Sequence, residues 1–490
     1  MAIGGHVPLV RVPVLEEAGM TGVLFLKELR EAFASRRFWV ILVLALVLLP
    51  LGVQVSLKDY RSRLQSYSEA ARLYQDNTKQ VQDILYKGGA KAFAPPSPLS
   101  FLALGLELVL PNVAETPAER IDPPVVMRLD NNQSRDNLYE FFYGPLDLVF
   151  VVAVVMSLLA VVLTYGAIAG EKEQGTLALV LSNAVPRAKI VLAKTAANAL
   201  VLVVPFLLAV TLSLTIVEIQ GGAVLAAPGA WTAVGLGVLF SVLLIGFFAN
   251  LGLLISALTK QAVPALVTLL LAWVFLYGVY PRLSAAAAQI LSPAPSEAQV
   301  ALEKAQVKRD IDKALEAEID PVAKAMPKDW NTPAFKEGDK KQQEIRDKYK
   351  AQMEERWRAI DRDVAVRREA RNALTAGIAR LSPVSSFIRP MAELARTGWL
   401  EYVQFQRQAG RFEEVLNREI FSKQRVTRTA RGIAVGNEAD PNAPAPLFTY
   451  APTPAGDIVR NVLPDLVLLA AVNLILFAGA FVAFLRYDAR

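Results

Sequence analysis

Six windows of this chain are apolar over about the length that crosses a bilayer, which limits the fold before any single residue is considered. They run Phe38 to Ser56, Leu148 to Ala169, Ala196 to Val217, Trp231 to Leu258, Ala262 to Tyr280 and Val462 to Leu485. A hydrocarbon core of ~30 Å calls for about 20 apolar residues per helix. Backbone in lipid must satisfy its own N–H and C=O groups, so each window reads as a helix. Hydrophobic residues make up 53% of 490, more apolar side chain than one soluble core uses. The expected fold is an all-α membrane protein with six transmembrane helices. Pro50, Pro205 and Pro264 fall inside windows and are expected to kink or start helices, which a bundle accommodates.

Short connections carry the orientation signal. Lys27, Arg30, Arg36 and Arg37 precede the first window, and Lys172, Arg187, Lys189 and Lys194 follow the second. Lys260 follows the fourth, and Arg486 and Arg490 follow the last. All lie on one side, and a cytoplasmic excess of Lys and Arg predicts that this side is the cytoplasm. Residues 1–37, residues 170–195 and the C-terminus are then cytoplasmic, while 57–147 and 281–461 are outside. The second outer region is basic, but long domains translocate largely regardless of charge. The net charge of +6 is therefore a weak argument for a nucleic-acid partner, and none is expected. With no cysteine there are no disulfides and no thiolate metal site. The N-terminus is expected to lack a cleavable signal, since its first apolar span starts late and is long enough to remain as an anchor.

Residues 22–37 place Leu26, Leu29 and Phe33 on one stripe with Lys27, Arg30 and Glu31 opposite, the pattern of an amphipathic helix lying at the lipid interface. The first outer region begins with a polar helical segment near Leu57 to Tyr86. It continues into an apolar stretch, residues 95–112, too short to span and carrying Glu107, expected to pack at the outer interface or under the bundle. In the second outer region Val300, Val307, Ile311, Leu315 and Ile319 form one stripe, interrupted by Lys304 and ending at Asp320-Pro321. A second stripe joins Ile345, Tyr349, Met353, Trp357, Ile360 and Val364. Two long helices, the second over 340–381, are expected to pair as an antiparallel hairpin. Its charge run reads as a solvated face or a docking surface for an extracytoplasmic partner. A further short helix follows, and residues 437–454 read as a linker into the last span.

Several chemistries are excluded. No Gly-Lys dipeptide exists, so there is no P-loop, and His6 is the single histidine, so neither a zinc H-E-x-x-H site nor a placed Ser-His-Asp triad is expected. No catalytic, cofactor or metal residue is expected in this chain. Asp147 and Asp465 lie close to outer ends of spans, where capping of a helix in reach of water is the expected role. Gly235, Gly237, Ser241 and Gly246 are expected to permit close helix packing.

The stretch between the second and third windows is the exception to this featureless chemistry. Gly170 can end a membrane helix, Glu171 and Glu173 suit the positive start of a following one, and Gly175 permits a sharp turn. A short helix parallel to the membrane follows. Leu177, Leu179, Val180 and Leu181 are expected on its surface, to be covered by lipid or a partner.

Ser157 to Leu200 closely resembles the corresponding stretch of ABC-2 type permeases, the membrane subunits of ATP-binding-cassette transporters. The likeness is greatest to the branch with large outer insertions, which includes permeases of nitrous-oxide-reductase maturation and gliding motility. The residues around 95–112 and 389–402 are similar to this branch too. In that family the segment aligned with Gly170, Glu171, Lys172, Glu173, Gln174, Gly175, Thr176 and Leu177 is a coupling helix seated in a groove of a separate ATPase. The resemblance implies a cytoplasmic ATPase partner that holds the ATP and magnesium, a second permease copy or paralogue, and a bacterial inner-membrane location. It implies export across that membrane, with a mechanotransmission device acting on an envelope partner as the alternative.

Overall fold

The computed structural model describes residues 22–486, except 23, 24, 28, 32, 86–88, 116–127, 131–144, 178–185, 222, 328, 330, 331, 421–423, 430, 431, 438 and 439. Six of its helices are long and apolar enough to cross a membrane. The first, α1 (Arg36–Asn77), starts where the Ser35 hydroxyl accepts a hydrogen bond from the Phe38 amide at 3.3 Å. The apolar window ends at Ser56 but the helix does not. Beyond Gly52 no glycine or proline interrupts it, and Asp59 and Arg63 pair one turn apart at 2.8 Å across the junction. At 1.5 Å per residue its 42 residues reach about 63 Å, twice the hydrocarbon thickness.

The second span, α2 (Leu148–Glu173), begins at Asp147, whose carboxylate accepts from Phe150 N at 2.8 Å and Leu104 N at 3.1 Å. Its regular part stops at Thr164, a turn occupies 165–168, and a last short helix, Ala169–Glu173, follows. The break thus precedes Gly170 and does not fall at it. The remaining spans are α3 (Arg187–Gln220), α4 (Ala230–Leu258), α5 (Ala262–Leu291) and, at the C-terminus, Ala455–Leu485. Pro50 and Pro205 lie inside α1 and α3. Pro264 is the third residue of α5, where a missing N–H costs nothing.

Between α5 and the last span lie four helices: α6 (Glu297–Ala325), α7 (Pro333–Ala379), α8 (Ser385–Leu394) and α9 (Trp399–Glu419), so the last span is α10. A Ser296–Gln299 capping box starts α6 and Thr332 caps α7. The two run antiparallel over Ile311, Ile345 and Val364, all buried. Lys304, which breaks the apolar stripe, lies over the Trp357 ring at 5.7 Å and pairs with Asp361 at 2.6 Å, so the interruption is itself a cross-hairpin contact. The helix α6 runs on through Pro321 for about one more turn. The C-terminal part of α7 rests on the C-terminal part of α5, with Tyr280 Oη donating to Ile378 O at 2.9 Å, so the hairpin is anchored to the bundle.

Central in the bundle is α4, packed against α2, α8 and α10, while α1 and α3 pack on each other. Phe206, Phe240, Phe248, Phe387 and Met156 are fully buried in this core. The segment around 95–112 contributes Leu99, Phe101 and Leu102 to it. A second, smaller core joins Val81, Ile84, Ala92 and Ala114 to Phe405, Phe412 and Leu416 of α9. Residues 441–453 belong to that unit and are no free linker. Ala445 N donates to Lys79 O at 3.0 Å, Val81 N to Ala443 O at 3.0 Å, and Tyr450 Oη to Glu401 at 2.6 Å. Strands β1 (Lys91–Phe93), β2 (Val113–Glu115) and β3 (Arg128–Asp130) form a small antiparallel sheet, and β4 (Gln424–Thr429) pairs with β5 (Gly432–Asn437).

Candidate functional site

At the end of the bundle that carries residues 165–177, the chain reverses through Gly175, whose φ of +72° is a left-handed conformation that a side chain would strain. Before that reversal, Ile168 N and Ala169 N donate to the Ser256 hydroxyl at 3.0 and 2.8 Å, so α4 satisfies two of the free amides that open the short helix. Leu177 is buried among Ile168, Ile190, Val191, Leu253 and Phe484. This corrects the expectation of an exposed Leu177: the turn at Gly175 folds it back onto the bundle, where apolar neighbours from three helices cover it. Leu179, Val180 and Leu181 lie outside the described residues.

Glu171 and Lys172 turn into the bundle as well, and Glu173, though exposed, still reaches a helix end. Glu171 accepts from Lys194 Nζ of α3 at 2.6 Å, and the lysine side chain is 6% exposed. Lys172 Nζ donates to Ala257 O and, at 3.0 Å, to Thr259 O, carbonyls at the C-terminal end of α4. Glu173 Oε2 accepts from Ala262 N at 2.9 Å, the first amide of α5. Both contacts match the helix dipole, a cation at a C-terminus and an anion at an N-terminus. Gly170, Gln174, Gly175 and Thr176 carry no such inward contact to another helix, and the last three are exposed at the tip. Residues 171–173 therefore offer fewer free groups to a partner than their charge suggests.

A second polar cluster lies toward the opposite end. Asp465 is fully buried in α10 and pairs with Arg389 of α8 and, at 3.3 Å, with Arg380 at the end of α7. Arg389 also donates to Asn461 Oδ1 at 2.8 Å. The expected capping role holds for Asp147 and fails for Asp465, which stands inside its helix, hydrogen-bonded to Arg389 and ion-paired with both arginines. Neither is in reach of water, Asp147 being buried too. Nearer the middle, Asn473 of α10 accepts from Asn250 of α4 at 3.1 Å and donates to Leu243 O at 2.9 Å. The small residue that most constrains packing is Gly252, absent from the expected set. A Cβ there would lie 2.8 Å from Thr164 Cβ. Gly235 faces open space.

Six apolar spans with alternating ends and inward-facing polar fasteners define a multi-pass helical membrane protein. The chain belongs to the ABC-2 transporter family: the profile described as ABC-2 family transporter protein matches residues 23–489. Members are membrane subunits of ABC transporters, distinct from the ATPase, and generally work with a cytoplasmic ABC ATPase, often as dimers. Comparison with curated proteins gives no match.

Proposed function

We propose that this subunit receives the stroke of a separate cytoplasmic ATPase through the tip around Gln174–Thr176 and uses it to export a substrate across the bacterial inner membrane. The observation that carries this reading is the segment itself: a left-handed reversal that presents an exposed polar tip while both flanks are tied into the bundle. The chain supplies no nucleotide site of its own, so ATP and magnesium belong to the partner. A second copy or a paralogue completes the complex.

The orientation follows the excess of Lys and Arg at this end, which includes Arg187 and Lys189 at the start of α3. A second reading, mechanotransmission, is favoured by one feature: α1 and α5 continue past their apolar windows, and α7 lies along the extension of α5. Helices that leave the membrane unbroken can carry motion outward without a transport pathway.

The docking test uses Gln174→Arg with Thr176→Arg, two exposed positions whose change gives up one exposed bond, Thr176 Oγ1 to Glu171 O at 3.3 Å, and leaves the side-chain contacts of Glu171, Lys172 and Glu173 in place. Purified from membranes, this variant should lose most of the co-purifying ATPase while its own yield and melting temperature match wild type. Undiminished ATPase recovery would refute docking at this tip.

A further inference from the structure

Three consecutive side chains each reach a different helix, one of them about two turns inside it and two at an end. Glu171 holds Lys194 of α3, Lys172 holds the last carbonyls of α4, and Glu173 holds the first amide of α5. Two flanking contacts extend the pattern to the remaining spans. Arg187, the first residue of α3, donates to Leu485 O at the end of α10 at 3.0 Å, and Arg37 of α1 donates to Tyr165 Oη at 3.2 Å, its guanidinium 5.3 Å from that ring. All six spans are thus joined at one end through Tyr165, residues 171–173, Arg187 and Lys194.

We infer that Glu171, Lys172 and Glu173 are positioning residues of the coupling step, fastening the tip to α3, α4 and α5 so that a push on Gln174–Thr176 displaces three helices together. This rests on the docking reading above and goes beyond it, because it assigns the charges to transmission inside the subunit and away from the ATPase surface. The physical argument is geometric. A lever held at one helix would tilt that helix alone. Ion pairs and charge-assisted bonds to three helices make the displacement common to all of them, and they are the strong class of polar contact. The Lys194 ammonium is nearly buried beside the apolar cluster of Ile190 and Val191, so its carboxylate partner is not exchangeable with water at small cost.

The test uses the whole complex in lipid nanodiscs. Cysteines replace Ile219 and Ile290, exposed residues near the far ends of α3 and α5, in a chain that has no native cysteine. Spin labels there report the distance change on adding ATP and vanadate. In wild type a change is expected. In Lys172→Gln the ATPase should co-purify at the wild-type level while the change shrinks at least twofold. Glu171→Lys should behave likewise, and adding Lys194→Glu to it, which restores the pair with its charges reversed, should restore the change.

Loss of the ATPase in Lys172→Gln or Glu171→Lys, unrepaired by Lys194→Glu, would mean that these charges touch the ATPase; the inference would fall while docking at the tip survived. A full distance change in Lys172→Gln, or none in wild type, would overturn the inference equally. Failure of docking itself is read separately, from the Gln174→Arg with Thr176→Arg protein.

Discussion

Glu107 stands outside the spans in surroundings that change its chemistry. Its carboxylate is buried, accepts from Ser97 N at 3.1 Å and meets Arg63 at 2.6 Å, yet burial pushes its pKa from 4.5 up to about 7 against the pull of that arginine. The folded state then keeps a proton that the unfolded chain releases. Stability from this group is full below about pH 4.5 and is lost as pH rises to about 7, beyond which it is constant. Glu393, also buried, is raised in the same direction, so the comparison must be made between proteins. Melting temperatures across pH 4.5 to 7.5 should fall more steeply for wild type than for Glu107→Gln. Parallel curves would refute the assignment. The unusual position of Glu107 was legible in the sequence, a lone carboxylate in an apolar stretch. Its partner Arg63 was not, because a helix surface of alternating charges gives no sign of which residue turns inward.

Among elements, the six spans were legible because length and apolarity alone force a helix in lipid. Contacts between helices were not. Asp465 was visible as a carboxylate in an apolar run, while the arginines that hold it stand some 75 to 85 residues earlier in α7 and α8. Residues 171–173 were visible as charge between two spans, but a charge pattern does not say whether its partner is a neighbouring helix end or another protein. Leu177 misled for a related reason, since the reversal at Gly175 decides which side the following residues face. Close approach was also unreadable: several glycines stand in α4 and only geometry separates them. Gly252→Ala drives a methyl into Thr164 of α2, and overpacking of this kind costs about 1–3 kcal/mol. Gly235→Ala meets open space and gains up to about 1 kcal/mol of helix propensity. Thermal unfolding in one detergent should order the proteins Gly235→Ala at or above wild type and Gly252→Ala below it. The reverse order would show that α2 and α4 do not meet at this point.

At the scale of the whole molecule, the question is what the α6–α7 hairpin contributes, since α7 alone extends about 70 Å over its 47 residues. Its exposed ion pairs, such as Lys348 with Glu318 at 2.9 Å, add little to stability. Its base is different, being held by Tyr280 to Ile378 and, through Arg380 at the end of α7, by Asp465 of α10. A truncation should therefore spare the base. Replacing residues 309–353 by a short Gly/Ser turn removes the distal part and keeps the Lys304–Asp361 pair and the Trp357 bond to Lys304 O. Because the hydrogen bonds and ion pairs of the described residues in 309–353 stay within the hairpin, the shortened protein should insert, retain its ATPase and hydrolyse ATP within about twofold of the wild-type rate. If the hairpin only surmounts a transport pathway, the ATP-driven change between labels at Ile219 and Ile290 should persist together with export. If the hairpin is the output, that change should persist while action on the envelope partner is lost. A truncated protein that fails to insert or to hold its ATPase would show that the distal hairpin supports the bundle itself, contrary to the contacts described, and would count against both readings of its role.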